Sequence, residues 1–367
     1  MKINFNQLDR GYYKFEDEYD LAVMDVLKSG WYILGKEVES FENNFKKYIG
    51  ANYCVGLNSG LDSLILAFRS LDICLGDEVI VPANTYIASI LGITENGAIP
   101  VLVEPDEYYN IDADKIEKKI TPRTKAILVV HLYGQTANME RIKDISNRYG
   151  LYLIEDCAQS HGSKFNNKTS GTFGDIGCFS FYPTKNIGAF GDAGCIVTNN
   201  EKIFEKVKML RNYGSKVKYQ NEILGVNSRL DEIQAAILNV KLKYYPDLLL
   251  QRKTIVNYYL NNIKNKYIDL PSVRENSTSV FHLFVIQVEN RDLFQKFLMS
   301  FDINTQIHYP IPPHLSKAYD YLGFKDGDFP ITESYARRVL SLPLYDGMTL
   351  EEAKYVVKAI NEYQEDE

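Results

Sequence analysis

Between residues 50 and 200 the chain alternates two textures. One is a series of short, nearly continuous apolar runs: DEVIVPANTY, GAIPVLVEPD, TKAILVVHLYG, YGLYLIEDCAQ, GDIGCFSFYP and AGCIVTNN. The other is amphipathic, as in SGLDSLILAFRSL, where apolar residues recur at the spacing of one helix face. A strand that is apolar at successive positions, not alternate ones, has both faces covered. Such strands interleaved with helices predict a mainly parallel α/β sheet between two helical layers. In these sheets ligands gather at the carboxyl ends of the strands. His131, Asp156, Gln159 and the segment leading to Lys185 all fall there.

From Ser228 a long helical pattern opens, SRLDEIQAAILNVKLKYY, with Ser228 and Asp231 at capping-box-like spacing and Pro246 placed to break or kink it. Past residue 248 the pattern changes. VFHLFVIQV predicts a strand, RDLFQKFLMSF a helix, and Leu350 opens a closing helix. The division is therefore 1–247, a large α/β domain carrying an N-terminal arm, and 248–367, a small α+β domain. The arm's first dozen residues are expected to pack against one of the two. A length of 367 residues is ample for two cores.

Composition narrows the partners more than the fold. The formal net charge is −7, and no basic run opposes it, which argues against a nucleic-acid surface. No apolar stretch approaches the roughly 20 residues that span a membrane, and the start lacks the apolar core of a signal peptide. The five cysteines are scattered and unpaired by motif, as expected of a cytoplasmic protein. The histidines show no metal-ligand spacing, so no metal is expected. Disorder is expected only at the acidic end, NEYQEDE.

The chemistry centres on SFYPTKNIGAFGDAG. Most lysines are solvated, so Lys185 alone says little. Asp156, however, ends an apolar strand, where an unpaired carboxylate is costly unless a cation or strong donor faces it. Glu155 beside it should point to the opposite face. Lys185 follows a later strand, and a lysine confined in an apolar pocket becomes a nucleophilic amine. NSGLDSL sets Ser59 and Gly60 before a helix whose first-turn amides can bind phosphate, and Asn227-Ser228 is read as a second such start. Ser180 adds a hydroxyl, and Tyr86 an aromatic able to cover a flat ring. A Schiff-base lysine, a carboxylate for a pyridinium nitrogen, phosphate donors and a stacking aromatic are together the needs of pyridoxal 5′-phosphate.

IEDCAQSHG, FSFYPTKNIGAFGDAG, HLYGQ, RNYGS and GVNSRLDEIQAAIL resemble the DegT/DnrJ/EryC1/StrS sugar aminotransferases, in order and over nearly the whole chain. The resemblance implies aminotransferase fold type I, with a mainly parallel, mixed seven-stranded sheet and a smaller α+β domain. It implies that Lys185 is the catalytic lysine, that Asp156 pairs with the pyridine nitrogen and that Gln159 lies against the ring hydroxyl. Ser180 and the amides of Gly60 and Leu61 would hold the phosphate, with Tyr86 stacked on the ring. Asn227 would reach the phosphate of a neighbouring subunit, which implies a homodimer with shared active sites. SGWYILG, FYPTKN and IHYPIPPH resemble the branch acting on 3-keto-6-deoxy sugar nucleotides. By that resemblance Tyr32, Tyr182, His308, Tyr309 and a lysine of GSKVKYQ, Lys218 in preference to Lys216, lie near the sugar. The implied reaction transfers nitrogen from L-glutamate to a dTDP-linked 3-keto-6-deoxyhexose for a surface glycan; the alternative acceptor is a 4-keto-6-deoxyhexose. Two positions depart from the family pattern: NSGLDSL replaces a Gly-Thr version of the phosphate turn, and Ala193 stands where GDGG has glycine.

Overall fold

The computed structural model describes residues 1–365. The expectation of disorder at NEYQEDE falls partly on Asp366 and Glu367, outside the described residues. Its first two residues instead end the helix Leu350–Glu362.

Seven strands build the central sheet: β1 (Tyr53–Leu57), β2 (Glu78–Pro82), β3 (Ile99–Val103), β4 (Thr124–Val130), β5 (Tyr152–Asp156), β6 (Ile176–Ser180) and β7 (Gly194–Thr198). Their spatial order is β1-β7-β6-β5-β4-β2-β3. β2 to β6 pair in parallel. β7 runs antiparallel to both β1 and β6, so every strand but β7 points the same way. Their carboxyl ends share one edge.

Burial on both faces explains the continuous apolar runs. In β4, Ala126 and Leu128 pack with Leu66, Phe68 and Ile90 from the helices Gly60–Ser70 and Ile87–Thr94. Ile127 and Val129 face the other way, onto Met139, Ile142 and Ile145 of the helix Met139–Tyr149. On that second face, nearer β7, Phe179, Cys195 and Val197 meet Phe41 and Phe45 of the helix Lys36–Ile49.

The smaller unit has three antiparallel strands, β8 (Ile268–Asp269), β9 (Phe284–Val288) and β10 (Val339–Leu342). The helices Arg291–Ser300 and Leu350–Glu362 bury Phe294, Leu298, Val356 and Ile360 against them. The first residues of the arm bond to this unit: Ile3 N–H donates to Asp302 O at 2.8 Å, and Arg10 forks onto Glu352 through two bonds of 2.8 Å.

One expectation about the connecting helix is corrected, its start, and of the two readings of Pro246 the break is excluded. It spans Glu232–Asn262, so it starts four residues after Ser228. The Ser228 hydroxyl accepts the Asn58 N–H and donates to Asp62, and is not free to cap. Nor does Pro246 end the helix, which continues 16 residues past it. An interior proline costs about 3 kcal/mol, but Tyr245 and Leu248 are buried on either side. Each such side chain contributes about 1.5–3 kcal/mol, so packing carries the helix through. The position 247/248 therefore lies inside one continuous helix. Four of the five cysteines are buried and free, Cys74 is exposed and free, and no helix of the described residues is long and apolar enough to cross a membrane.

Candidate active site

β5 ends on Asp156 and β6, its parallel neighbour, on Ser180. Side-chain alternation sends Glu155 to the opposite face, as expected. Its oxygens accept N–H groups from Gly171, Phe173 and Gly174, each at 2.7 Å, and approach His131 Nε2 at 2.9 Å. His131 Nδ1 accepts the Ala137 N–H, which leaves Nε2 as the protonated nitrogen donating to Glu155. This saturated, fully buried pair belongs to the core, and His131 is thereby removed from the candidate site. Glu155, His131 and Cys157 hold potential ligand atoms within 4.8 Å of one another, but those of the pair are already engaged.

Asp156 lies on the other face. Its carboxylate accepts the Ser89 hydroxyl at 2.8 Å and the Ala158 N–H at 3.1 Å. Burial pushes its pKa up, and these donors, with Lys185 beyond them, only partly offset that rise. The carboxylate thus has room for one more cationic donor. Lys185 sits in the loop after β6, where its backbone N–H closes a turn onto Tyr182 O at 2.8 Å. Burial lowers its amine to about 8, with the charge of Asp156 acting in the opposite sense.

The helix Gly60–Ser70 begins beside them. Ser59 caps it by accepting the Asp62 N–H at 3.0 Å, leaving the first-turn N–H groups of Gly60 and Leu61 without intrahelical partners. Gly60 is pressed against Ser180: a Cβ there would come within 2.4 Å of the Ser180 Cβ. Backbone donors and a hydroxyl are therefore packed at one point, an arrangement suited to a phosphate. The donor set fits pyridoxal phosphate: an amine of lowered pKa, a carboxylate able to take a cationic donor, and an anion cradle.

Gln159 is held from both ends. Its Oε1 accepts the Tyr133 N–H at 2.7 Å, which fixes the amide so that Nε2 donates to the Tyr309 hydroxyl at 3.1 Å. The rings of Tyr309 and Tyr86 lie 5.1 Å apart, tilted by 33°. Tyr86 is half exposed, at the start of the helix Ile87–Thr94. His308, next to Tyr309, pairs through Nδ1 with Ser341 Oγ at 2.8 Å, and its pKa is lowered to about 4 by burial first and Lys185 second.

Residues 14–361 match the model of the DegT/DnrJ/EryC1/StrS aminotransferase family. The chain belongs to this family. A dTDP-3-amino-3,6-dideoxy-alpha-D-galactopyranose transaminase from Aneurinibacillus thermoaerophilus is 54% identical over 95% of this chain and 96% of that protein. A dTDP-3-amino-3,4,6-trideoxy-alpha-D-glucose transaminase from Streptomyces venezuelae is 43% identical over 99% of this chain and 97% of its own. The crystal structure of S. venezuelae DesV in complex with a ketimine intermediate superposes with a TM-score of 0.96, at 43% identity, covering 98% of each chain.

In this aminotransferase-family chain, the expected residues divide into those that converge and those that do not. Lys185, Asp156, Gln159, Ser180, Gly60, Leu61, Tyr86, His308 and Tyr309 gather at the strand ends or in the loops against them. Tyr182 is adjacent but half exposed. Tyr32, Lys218 and Asn227 make their contacts elsewhere. The Tyr32 carbonyl accepts the Glu232 N–H at 3.1 Å, Lys218 lies over the Tyr219 ring, and Asn227 bridges to Asn212. Asn227-Ser228 is a loop and not a helix start, which corrects its reading as a second phosphate-binding turn.

Several residues around Lys185 were not singled out from sequence. Ser89 supplies a bond to Asp156. His161 Nε2 donates to Ser180 O at 3.0 Å, while its buried Nδ1 has no partner. Asn186, next to Lys185, donates to Val280 O and accepts from His282 Nδ1 at 3.0 Å, tying the lysine loop to the smaller unit. Asn186 carried a signal in its place beside the lysine and His161 in its place within IEDCAQSHG; Ser89 carried none.

Proposed function

We propose that the chain is a pyridoxal-phosphate-dependent transaminase that moves nitrogen from L-glutamate to the C3 ketone of a dTDP-linked 3-keto-6-deoxyhexose. The product is a dTDP-3-amino-3,6-dideoxyhexose, destined for a surface glycan and made in the cytoplasm. The observation that carries this reading is the convergence of the Lys185 amine and the Asp156 carboxylate beside the Gly60–Ser180 cradle. The C3 position draws its support from the 54% identical relative.

In this reading Lys185 is the residue that would hold the cofactor between turnovers. The amides of Gly60 and Leu61 and the Ser180 hydroxyl would hold its phosphate, Asp156 would keep a proton on the ring nitrogen, Gln159 would serve the ring hydroxyl and Tyr86 would cover the ring. When bound, the cofactor supplies a carbon that carries the amino group and a ring that withdraws electrons from the reacting centre. Lys185, freed as a neutral amine, takes the proton from the donor's α-carbon and, in the second half-reaction, returns one to C3 of the sugar. Tyr182, His308 and Tyr309 orient the sugar, with Tyr32 and Lys218 closing on it. Asn227 serves the phosphate of a second copy, so the working unit is a homodimer, organised as a 1–247 domain that binds the cofactor and a 248–367 domain.

The test is Lys185→Ala. The wild-type protein mixed with pyridoxal phosphate is expected to gain a visible absorbance band absent from the variant, and to have twice the chain mass by light scattering. Transamination by the variant is expected to fall at least about a thousandfold, as for loss of a positioned acid–base group. An unchanged spectrum in Lys185→Ala would remove the lysine from the reaction, and a fully active monomer would remove Asn227.

A further inference from the structure

Lys185 also lines a cavity of about 410 Å³ that reaches groups with no part in the scheme above. Lys241 and Arg252 of the helix Glu232–Asn262 share its lining with Asp346, which follows β10. Lys241 and Arg252 are each only 8% exposed. Both bond to Asp346, Lys241 Nζ to Oδ2 and Arg252 Nη2 to Oδ1, the latter at 3.3 Å. Two buried cations therefore share one carboxylate.

Their remaining donors differ. Arg252 Nη1 is spent on the carbonyls of Phe281, His282 and Leu344. Lys241 has three N–H donors, and Asp346 is its only acceptor among the described residues. Asp9 is also in the lining, but it is exposed and bonds to neither cation. What faces the cavity is thus an ammonium with donors to spare and a positive charge in excess. Desolvated cations of this kind are held by a matching anion. The volume falls in the range of small-molecule pockets, about 300–1,000 Å³.

We propose that this cavity is the amino-donor subsite, in which Lys241, steadied by Asp346 and Arg252, binds a carboxylate of the incoming amino acid. Arg252 keeps Asp346 in place, and Asp346 aims the Lys241 ammonium while leaving its other N–H groups for the ligand. The amino acid is then anchored at one end while its amine faces the lysine that lines the same cavity. The inference rests on the transaminase reading for the identity of its ligand.

Glutarate, a dicarboxylate with no amine to transfer, probes the site directly. Calorimetric titration into the cofactor-loaded enzyme is expected to show binding that weakens at least tenfold in Lys241→Met. In Lys241→Arg, which keeps the charge, binding should stay within threefold. Asp346→Asn removes the competing anion and is expected to tighten glutarate at least threefold, a gain no purely structural role would produce. The affinity for dTDP should remain within twofold in all three. Glutarate binding that is absent in the wild type, or equal in a folded Lys241→Met, overturns the proposal. So does loss of dTDP in place of glutarate, which would give the cavity to the diphosphate. Failure of the donor assignment looks different: glutamate would then deliver no nitrogen in the wild type, while the glutarate affinities would still follow the charge at 241 and 346.

Discussion

Lys185 is pulled two ways, by burial that disfavours its charge and by Asp156 that favours it, and burial wins. With the amine near 8 in place of its ordinary 10.5, about one lysine in ten is neutral at pH 7, against about one in three thousand for an unperturbed side chain. The neutral amine is the form that attacks a carbonyl. Uptake of pyridoxal phosphate by the cofactor-free protein should therefore speed up about tenfold per pH unit below 8 and level off above it. A stopped-flow series from pH 6 to 10 measures this; a rise that continues unbroken to pH 10 would contradict it. The linkage has a definite sign as well. Between about 8 and 10.5 the unfolded chain binds more protons at this site than the folded one, so its contribution to stability rises with pH across that window. Asp156 was legible because it ends an apolar strand, and Lys185 because it stands in a proline- and glycine-rich segment just after one. Ser89 was not, since nothing local marks a serine on a helix until strand order brings it to the site; His161 stood within a quoted motif, but its bond to Ser180 O could not be read from it.

The helix Gly60–Ser70 shows what an element contributes beyond its residues. Its start is aimed at the strand ends because Ser59 caps it and because Gly60 lets it approach Ser180. In Gly60→Ala the new Cβ would lie 2.4 Å from the Ser180 Cβ and 3.0 Å from its Cα, so the strand end and the helix must part. Affinity for pyridoxal phosphate is expected to fall at least about tenfold by absorbance titration, with the protein still folded. Unchanged affinity would place the phosphate elsewhere. The strands and this helix were readable from periodicity and composition. In the connecting helix tertiary contacts outweigh local preference at two points. Ser228 gives its hydroxyl to Asn58 and Asp62 and caps nothing, and Pro246 is carried by buried neighbours.

At the scale of the molecule, the sequence pattern implied a parallel sheet with helices on both faces, and the sheet has that character. Neither the place of β7 as its one reversed strand nor the docking of the arm onto the smaller unit could be read from it. Both depend on contacts far apart in sequence, such as Leu57 with Gly194 and Ile3 with Ile303. The converging residues lie together at the strand ends, whereas Tyr32, Lys218 and Asn227 make their contacts elsewhere in this chain; under the proposed function a second copy and a bound sugar would complete their roles. Transfer of nitrogen to C3 is the central claim, and one experiment addresses it without intermediaries. The enzyme is supplied with nitrogen-labelled L-glutamate, pyridoxal phosphate and, in parallel, a dTDP-3-keto-6-deoxyhexose and its 4-keto isomer, and the product is read by NMR. Label bonded to C3, formed from the 3-keto sugar alone, is the predicted result. Label at C4, or none in either sugar, would contradict it.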